Sequence, residues 1–138
     1  MKYTTETIWQ GNMQFETAIG NHKIVMDAGK EFGGEDNGPS PKSLVPAALA
    51  GCTGMDVVVI LKKMRVDIEG LRIQVESVIQ EEHPKRYTSM TVHYFFKGNN
   101  LDESKLRKAV EMSEKTYCGV SATLSAGVAL SFEIHIEE

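Results

Sequence analysis

The strongest constraint on folding in this sequence is the run from Leu44 to Leu61, which is apolar on nearly every side of a helix. Ser40 offers an N-cap hydroxyl ahead of it, and Pro41 suits a first helical position because its missing N–H would be unpaired there anyway. A helix is expected from about Pro41 to Met64, kinked or restarted at Pro46, where an interior N–H donor is lost. A helix that is apolar all round has to be buried on every side. A chain of 138 residues has little structure with which to surround it, which points to a second subunit supplying part of the cover. The run is also long enough to span a bilayer. Pro46, Gly51, Thr53, Gly54 and Asp56 interrupt it, so a buried helix in a soluble protein is expected, with no membrane insertion.

Around this helix the pattern is mostly of strands. Thr5–Trp9 and Met13–Ile19 flank Gly11-Asn12, which suits a tight hairpin; Gly20-Asn21 precedes a third run, Lys23–Asp27. Gly33, Gly34 and Gly38 then make a flexible loop leading into the helix, a lip over a pocket. After Gly70, Leu71, Ile73 and Val75 alternate with Arg72, Gln74 and Glu76, and Met90, Val92, Tyr94 and Phe96 alternate with Thr91, His93 and Phe95. The break at Glu82-His83-Pro84-Lys85 joins these two runs as an antiparallel pair. Asn100 and Glu103 resemble a capping box, opening a helix that reaches about Tyr117 with Gly119 as its C′ residue. Alternation over Val128–Ile136 gives a last strand. This order reads as α+β, one domain, with a mostly antiparallel sheet.

Composition excludes some functions. With 19 acidic against 15 basic side chains and no basic stripe, nucleic acid is not an expected partner. The N-terminus lacks the apolar core of a signal peptide, so a cytoplasmic location is expected. In that reducing compartment a cysteine pair is more often reactive or unpaired than a permanent staple.

Cys52 and Cys118 lie sixty-six positions apart, one in the long helix and one closing the second helix. Two thiols that meet only in the folded state would form a reversible dithiol couple; the competing reading is two buried structural cysteines. Cys52 lies about two turns beyond Pro46, where the helix dipole has largely decayed, and burial raises a thiol pKa. A helix C-terminus is a poor place for an attacking thiolate, so Cys118 is the better resolving partner. Asp56 shares a helical face with Cys52 and, as a carboxylate, raises rather than lowers its pKa. His22, His83, His93 and His135 show no metal-ligand spacing, and the glycines fit no phosphate-binding fingerprint. Met55, Met64, Phe95 and Phe96 are expected in the core.

Residues 38–61, with Gly38-Pro39-Ser40-Pro41 leading into Ala50-Gly51-Cys52-Thr53-Gly54, resemble the central helix of the OsmC/Ohr family, in particular its YhfA-like branch. Residues 81–88 are similar to that branch's strand-to-strand turn, and residues 114–124, around Tyr117-Cys118-Gly119, to the family's second-cysteine motif. The likeness covers nearly the whole chain. It implies a single OsmC-like domain over 1–138, folded as an intertwined homodimer whose sheets are shared around the central helices. It also implies a thiol-dependent peroxidase for organic or fatty-acid hydroperoxides, with a role in oxidative stress defence and no metal or cofactor. By motif, Cys52 attacks the hydroperoxide, Cys118 resolves the sulfenic acid, and a dithiol reductant reopens the disulfide. At two places the chain departs from the family pattern: Lys42 stands where peroxidase members have a glutamate, and no arginine precedes Arg65. Positive charge would then have to come from Lys23, Lys30 or Lys42, without the bidentate geometry of a guanidinium. Two other functions fit the same residues: a dimeric binder of a small hydrophobic ligand without turnover, and a thiol- or persulfide-handling enzyme.

Overall fold

The structure is a computed structural model that describes residues 1–137. The chain forms two compact units, Met1–Val45 and the part from Pro46 onward. In the first, β1 (Glu6–Trp9), β2 (Phe15–Ile19) and β3 (His22–Met26) form an antiparallel sheet in chain order. Gly20-Asn21 makes the tight hairpin, with Ile19 paired to His22 and Gly20 at a φ of 59° that favours glycine. Gly11-Asn12 does not: the β1–β2 connection widens to Gln10–Gln14, closed by hydrogen bonds between those residues and to Gly11. Ile8, Trp9, Phe15 and Ile19 stay exposed on this sheet.

The glycine-rich loop after β3 is tied down rather than flexible. The buried Asp27 carboxylate accepts backbone N–H bonds from Ala28 at 2.7 Å, Asn37 at 3.1 Å and Glu35 at 3.3 Å. Gly34 lets the loop close on itself, since a Cβ there would stand 2.0 Å from the Ala28 carbonyl oxygen. The Asn37 and Ala28 amides hold the Asp27 pKa below its usual 3.8. A carboxyl whose folded pKa is depressed stabilises fully above its unfolded pKa and loses that contribution as pH falls through the folded value. Protection factors of the Glu35 and Asn37 amides are therefore expected to be flat above about pH 5 and to fall once the pH drops below the ordinary carboxylate range. Equal protection at both ends of that titration, read by hydrogen exchange, would contradict this role for Asp27.

A 3₁₀ turn (Pro41–Ser43) leads into the long helix α1 (Leu44–Lys63). Ser40 does not cap with its side chain; Ser43 Oγ donates back to the Ser40 carbonyl instead, at 2.7 Å. Pro46 falls in the first turn of α1, where no interior donor is lost, so the helix starts there instead of kinking. Length and apolarity would let Pro41–Lys63 cross a membrane. Its buried stripe, Leu49, Thr53, Val57, Ile60 and Leu61, instead belongs to the protein core. Within the single chain α1 is not buried on every side: Met55 is 74% exposed, Val58 47% and Val59 51%. Met55 is therefore not core.

The second sheet holds β4 (Gly70–Ile79), β5 (Tyr87–Lys97) and β6 (Ala129–Glu137) in that order. Alternation decides its faces. Met90, Val92, Tyr94 and Phe96 of β5 are fully buried, whereas Phe95 lies on the opposite face against His135, outside the core. Gly54 of α1 lets the helix approach β4, since a Cβ there would meet Ile73 Cδ1 at 2.9 Å. The β4–β5 pair is antiparallel as expected, but β6 runs parallel to β5, so the sheet is mixed. The reason is the connection: two helices separate β5 from β6, a crossover long enough to bring the last strand back in the same direction. Helix α2 (Glu103–Met112) starts at Asp102, not Asn100; Asp102 Oδ1 accepts from the Ser104 amide at 3.0 Å. It contributes Leu106, Ala109 and Val110 to the core.

Candidate functional site

Beyond Met112 the helix does not simply end. It widens into a π-helical turn over Ser113–Tyr117, closed by the Cys118 amide donating to the Ser113 carbonyl at 2.8 Å. Such widened turns recur at functional sites because they re-aim side chains. Cys118 then leaves the helix in an extended conformation and becomes the N-cap of α3 (Gly119–Leu124). Gly119 is therefore the first residue of a new helix and not the terminator of the old one. Cys118 does not face helix C-terminal carbonyls; its sulfur accepts the Ser121 N–H at 3.3 Å. A cysteine at a capping position, followed three residues later by the bonded amide, was the available signal, but the residue preference for caps does not include Cys.

The two cysteines meet. Cys52 Sγ, Cys118 Sγ and a carboxylate oxygen of Asp56 all lie within 4.8 Å of one another, and both cysteines are free thiols. Asp56 lies one turn after Cys52 on α1, as the spacing predicts. Its Oδ2 accepts from Ser113 Oγ at 3.0 Å, so the π turn supplies the partner that orients it. Ser113 is fully buried and also reaches the Thr53 carbonyl. Beneath the cysteines, Tyr94 donates its hydroxyl to Glu114 Oε1 at 2.8 Å. Burial pushes the Tyr94 phenol well up, opposed by the Thr53 hydroxyl, and pushes the Glu114 carboxyl up as well, opposed by Tyr94. Sequence reasoning misses Ser113, Tyr94, Glu114 and the Val120 amide as site residues, because the π turn brings Ser113 to Asp56 and Glu114 to Tyr94 of β5, and α3 places Val120.

Access and charge favour different sulfurs. Cys118 is 3% exposed, whereas Cys52 is half-buried and so the one a substrate reaches more readily. Burial pushes the Cys52 thiol above its ordinary value; its hydrogen bond to Cys118 and the Asp56 charge add to this, and the Val120 backbone amide opposes them. What lowers it is thus a backbone N–H rather than a guanidinium. Lys23, one of the lysines considered for that task, pairs with Glu16 on the first sheet at 3.7 Å. A cavity of about 280 Å³ adjoins the cluster, lined by Asp56, Val59, Ile60, Lys63 and Tyr117. Ser121 Oγ is buried and has no hydrogen-bond partner.

The family profile described as OsmC-like protein matches residues 34–133, which include both cysteines. The chain belongs to the OsmC-like family. It is 32% identical over 130 residues to protein YhfA of Escherichia coli (strain K12), covering 93% of each chain. A hypothetical protein from Aquifex aeolicus VF5 superposes with a TM-score of 0.84 at 28% identity over the full length of both chains. An organic hydroperoxide resistance protein from Legionella pneumophila shares the fold, with a TM-score of 0.71 at 18% identity over 96% of this chain and 97% of that one.

Proposed function

We propose that this OsmC-like protein is a thiol peroxidase that reduces organic hydroperoxides with Cys52 and Cys118 in the cytoplasm. The observation that carries the reading is the placement of two free sulfurs within 4.8 Å, the more accessible one on α1 and the more buried one receiving a backbone amide. The likeness of the fold to proteins described as organic hydroperoxide resistance proteins supports the same class of chemistry.

In this scheme the Cys52 thiolate attacks the distal oxygen of the hydroperoxide. The O–O bond breaks, the alkoxide takes a proton and leaves as the alcohol, and Cys52 becomes a sulfenic acid. The sulfur of Cys118, as thiolate, then attacks the Cys52 sulfur; hydroxide leaves and is protonated to water as the S–S bond forms. Forming the bond closes the two sulfurs from within 4.8 Å of each other to about 2.05 Å. A dithiol reductant returns both to thiols by exchange, and becomes the disulfide. The Ser121 and Val120 amides stabilise negative charge on sulfur during these exchanges. Asp56, held by Ser113, fixes the wall beside the thiol without activating it.

The protein also functions, on this reading, as a homodimer. Met55, Val58 and Val59 of α1 join Ala50, Gly51, Gly54, Leu71 and Ile73 around an open cavity of about 670 Å³, a continuous apolar face that water disfavours. The exposed Ile8, Trp9, Phe15 and Ile19 of the first sheet fit the same account.

One equivalent of cumene hydroperoxide added to the reduced protein is expected to lower its intact mass by two hydrogens and give a Cys52–Cys118 linked peptide on digestion. Full recovery of both free thiols, with the hydroperoxide unconsumed, would refute the reading.

A further inference from the structure

The outer face of the second sheet carries a second cluster of chemistry-bearing side chains, remote in sequence from the cysteines. The parallel β5–β6 register sets His93 opposite Glu133 and Phe95 opposite His135. Alternation puts all of these on the face turned away from Tyr94 and Phe96. No linear spacing shows this, because the two histidines stand forty-two positions apart and only the crossover aligns them.

We propose that His93, His135 and Glu133 form a binding site for a divalent transition-metal ion of the zinc class. His93 Nδ1 and His135 Nε2 lie 3.1 Å apart, and a carboxylate oxygen of Glu133 lies within 4.8 Å of a ring nitrogen of each histidine. Two imidazole nitrogens on one tetrahedral zinc, each about 2.0–2.1 Å from the metal, stand about 3.3 Å from each other. The pair is thus set at a chelating separation before any ion arrives.

Glu76 on β4 supplies the orientation such a site needs. Its Oε1 lies 3.1 Å from His93 Nε2. A carboxylate only accepts, so Nε2 carries the proton and Nδ1 is the acceptor of the neutral ring, aimed at His135. A ligating histidine held from behind by a carboxylate is the usual outer-shell arrangement of zinc sites. His135 Nε2–H now donates to that lone pair; on binding, the His135 proton moves to Nδ1 and Nε2 becomes the second ligand. Phe95 stacks on the His135 ring with centroids 4.5 Å apart, which fixes the ring plane. Arg72 lies over Phe95 at 4.0 Å and is paired with Glu137 at 3.6 Å. Three protein donors leave one coordination position on a tetrahedral ion, and an open cavity of about 640 Å³, lined by Gln74, Val75, Glu76, His93, Phe95 and His135, adjoins the two histidines. That position suits water or a small anion.

The test is a Zn²⁺ titration of the reduced protein by calorimetry, with Co²⁺ as a spectroscopic stand-in. Because Cys52, Asp56 and Cys118 could also hold zinc, it is run on the Cys52→Ser/Cys118→Ser double variant as well as on the wild type. The double variant is expected to keep one zinc per chain, with a Co²⁺ spectrum free of thiolate charge-transfer bands. His135→Ala should weaken that binding at least about tenfold, and Glu76→Gln about 10- to 100-fold through loss of the outer-shell hydrogen bond. Circular dichroism checks that each variant is folded, and His93→Gln replaces His135→Ala if the latter is not. The inference is overturned if the double variant takes up no zinc, or if the histidine variants bind it with unchanged stoichiometry and affinity.

Discussion

Cys52→Ser is expected to slow hydroperoxide consumption by at least about 10³-fold, since a serine hydroxyl provides no nucleophile comparable to a thiolate. The measurement is dithiol-dependent loss of cumene hydroperoxide under saturating reductant. Equal rates in wild type and variant would end the peroxidase reading. The wild-type rate carries a second signature in its pH dependence. Burial, the hydrogen bond to Cys118 and the Asp56 charge all raise the Cys52 pKa. A raised thiol pKa means that the thiolate fraction, and with it the rate, keeps climbing with pH beyond the ordinary thiol value of about 8.5 instead of levelling off near neutrality. Cys118→Ser removes one of the raising influences. Its first oxidation, followed by sulfenic-acid trapping in a single turnover, should have its inflection at lower pH than the wild type.

Met55→Glu combined with Val58→Glu is expected to convert a dimer into a monomer. Both positions lie on the exposed apolar face of α1, so the substitutions leave the core of the isolated chain intact. Burying two unpaired carboxylates in an interface costs several kcal/mol. At about 1.4 kcal/mol per tenfold, that raises the dissociation constant by more than about 10³-fold. Light scattering at micromolar concentration should give twice the chain mass for the wild type and the single chain mass for the variant. A wild type that is already monomeric, or a variant that stays dimeric, would show that this face is not the interface.

Much of this fold is legible in the sequence, for identifiable reasons. The period-two alternation in 71–76 and 90–96 fixes both strands and their faces, and the buried Tyr94 and Phe96 follow from it. The apolar run of α1 marks the helix, but composition does not tell a face that packs within the chain from one left for a partner. Met55 and Val57 are equally apolar, yet the first is exposed and the second fully buried. The direction of β6 was not legible, because alternation is identical in parallel and antiparallel strands and only the crossover decides.

At the site, the sequence placed Cys52 and Asp56 on one face of a helix but put Cys118 at the wrong kind of helix end. The error has a definite source. Gly119 reads as a terminator by its usual preference, whereas the π turn before it ends the first helix early enough for Cys118 to begin another. The histidine cluster was invisible for the same reason as the strand direction. Its members are neighbours only across a parallel register.

That register also sets an order of events during synthesis. The segment carrying Cys118 is slung between β5 and β6, and β6 is formed by Ala129–Glu137, which follow it in the sequence. Until those residues leave the ribosome, one end of the sling has nothing to tie to, and pairings between distant segments are the slowest to form. A nascent chain that has not yet paired β6 is therefore expected to hold the Cys118 segment at one end only, and to match its two thiols last.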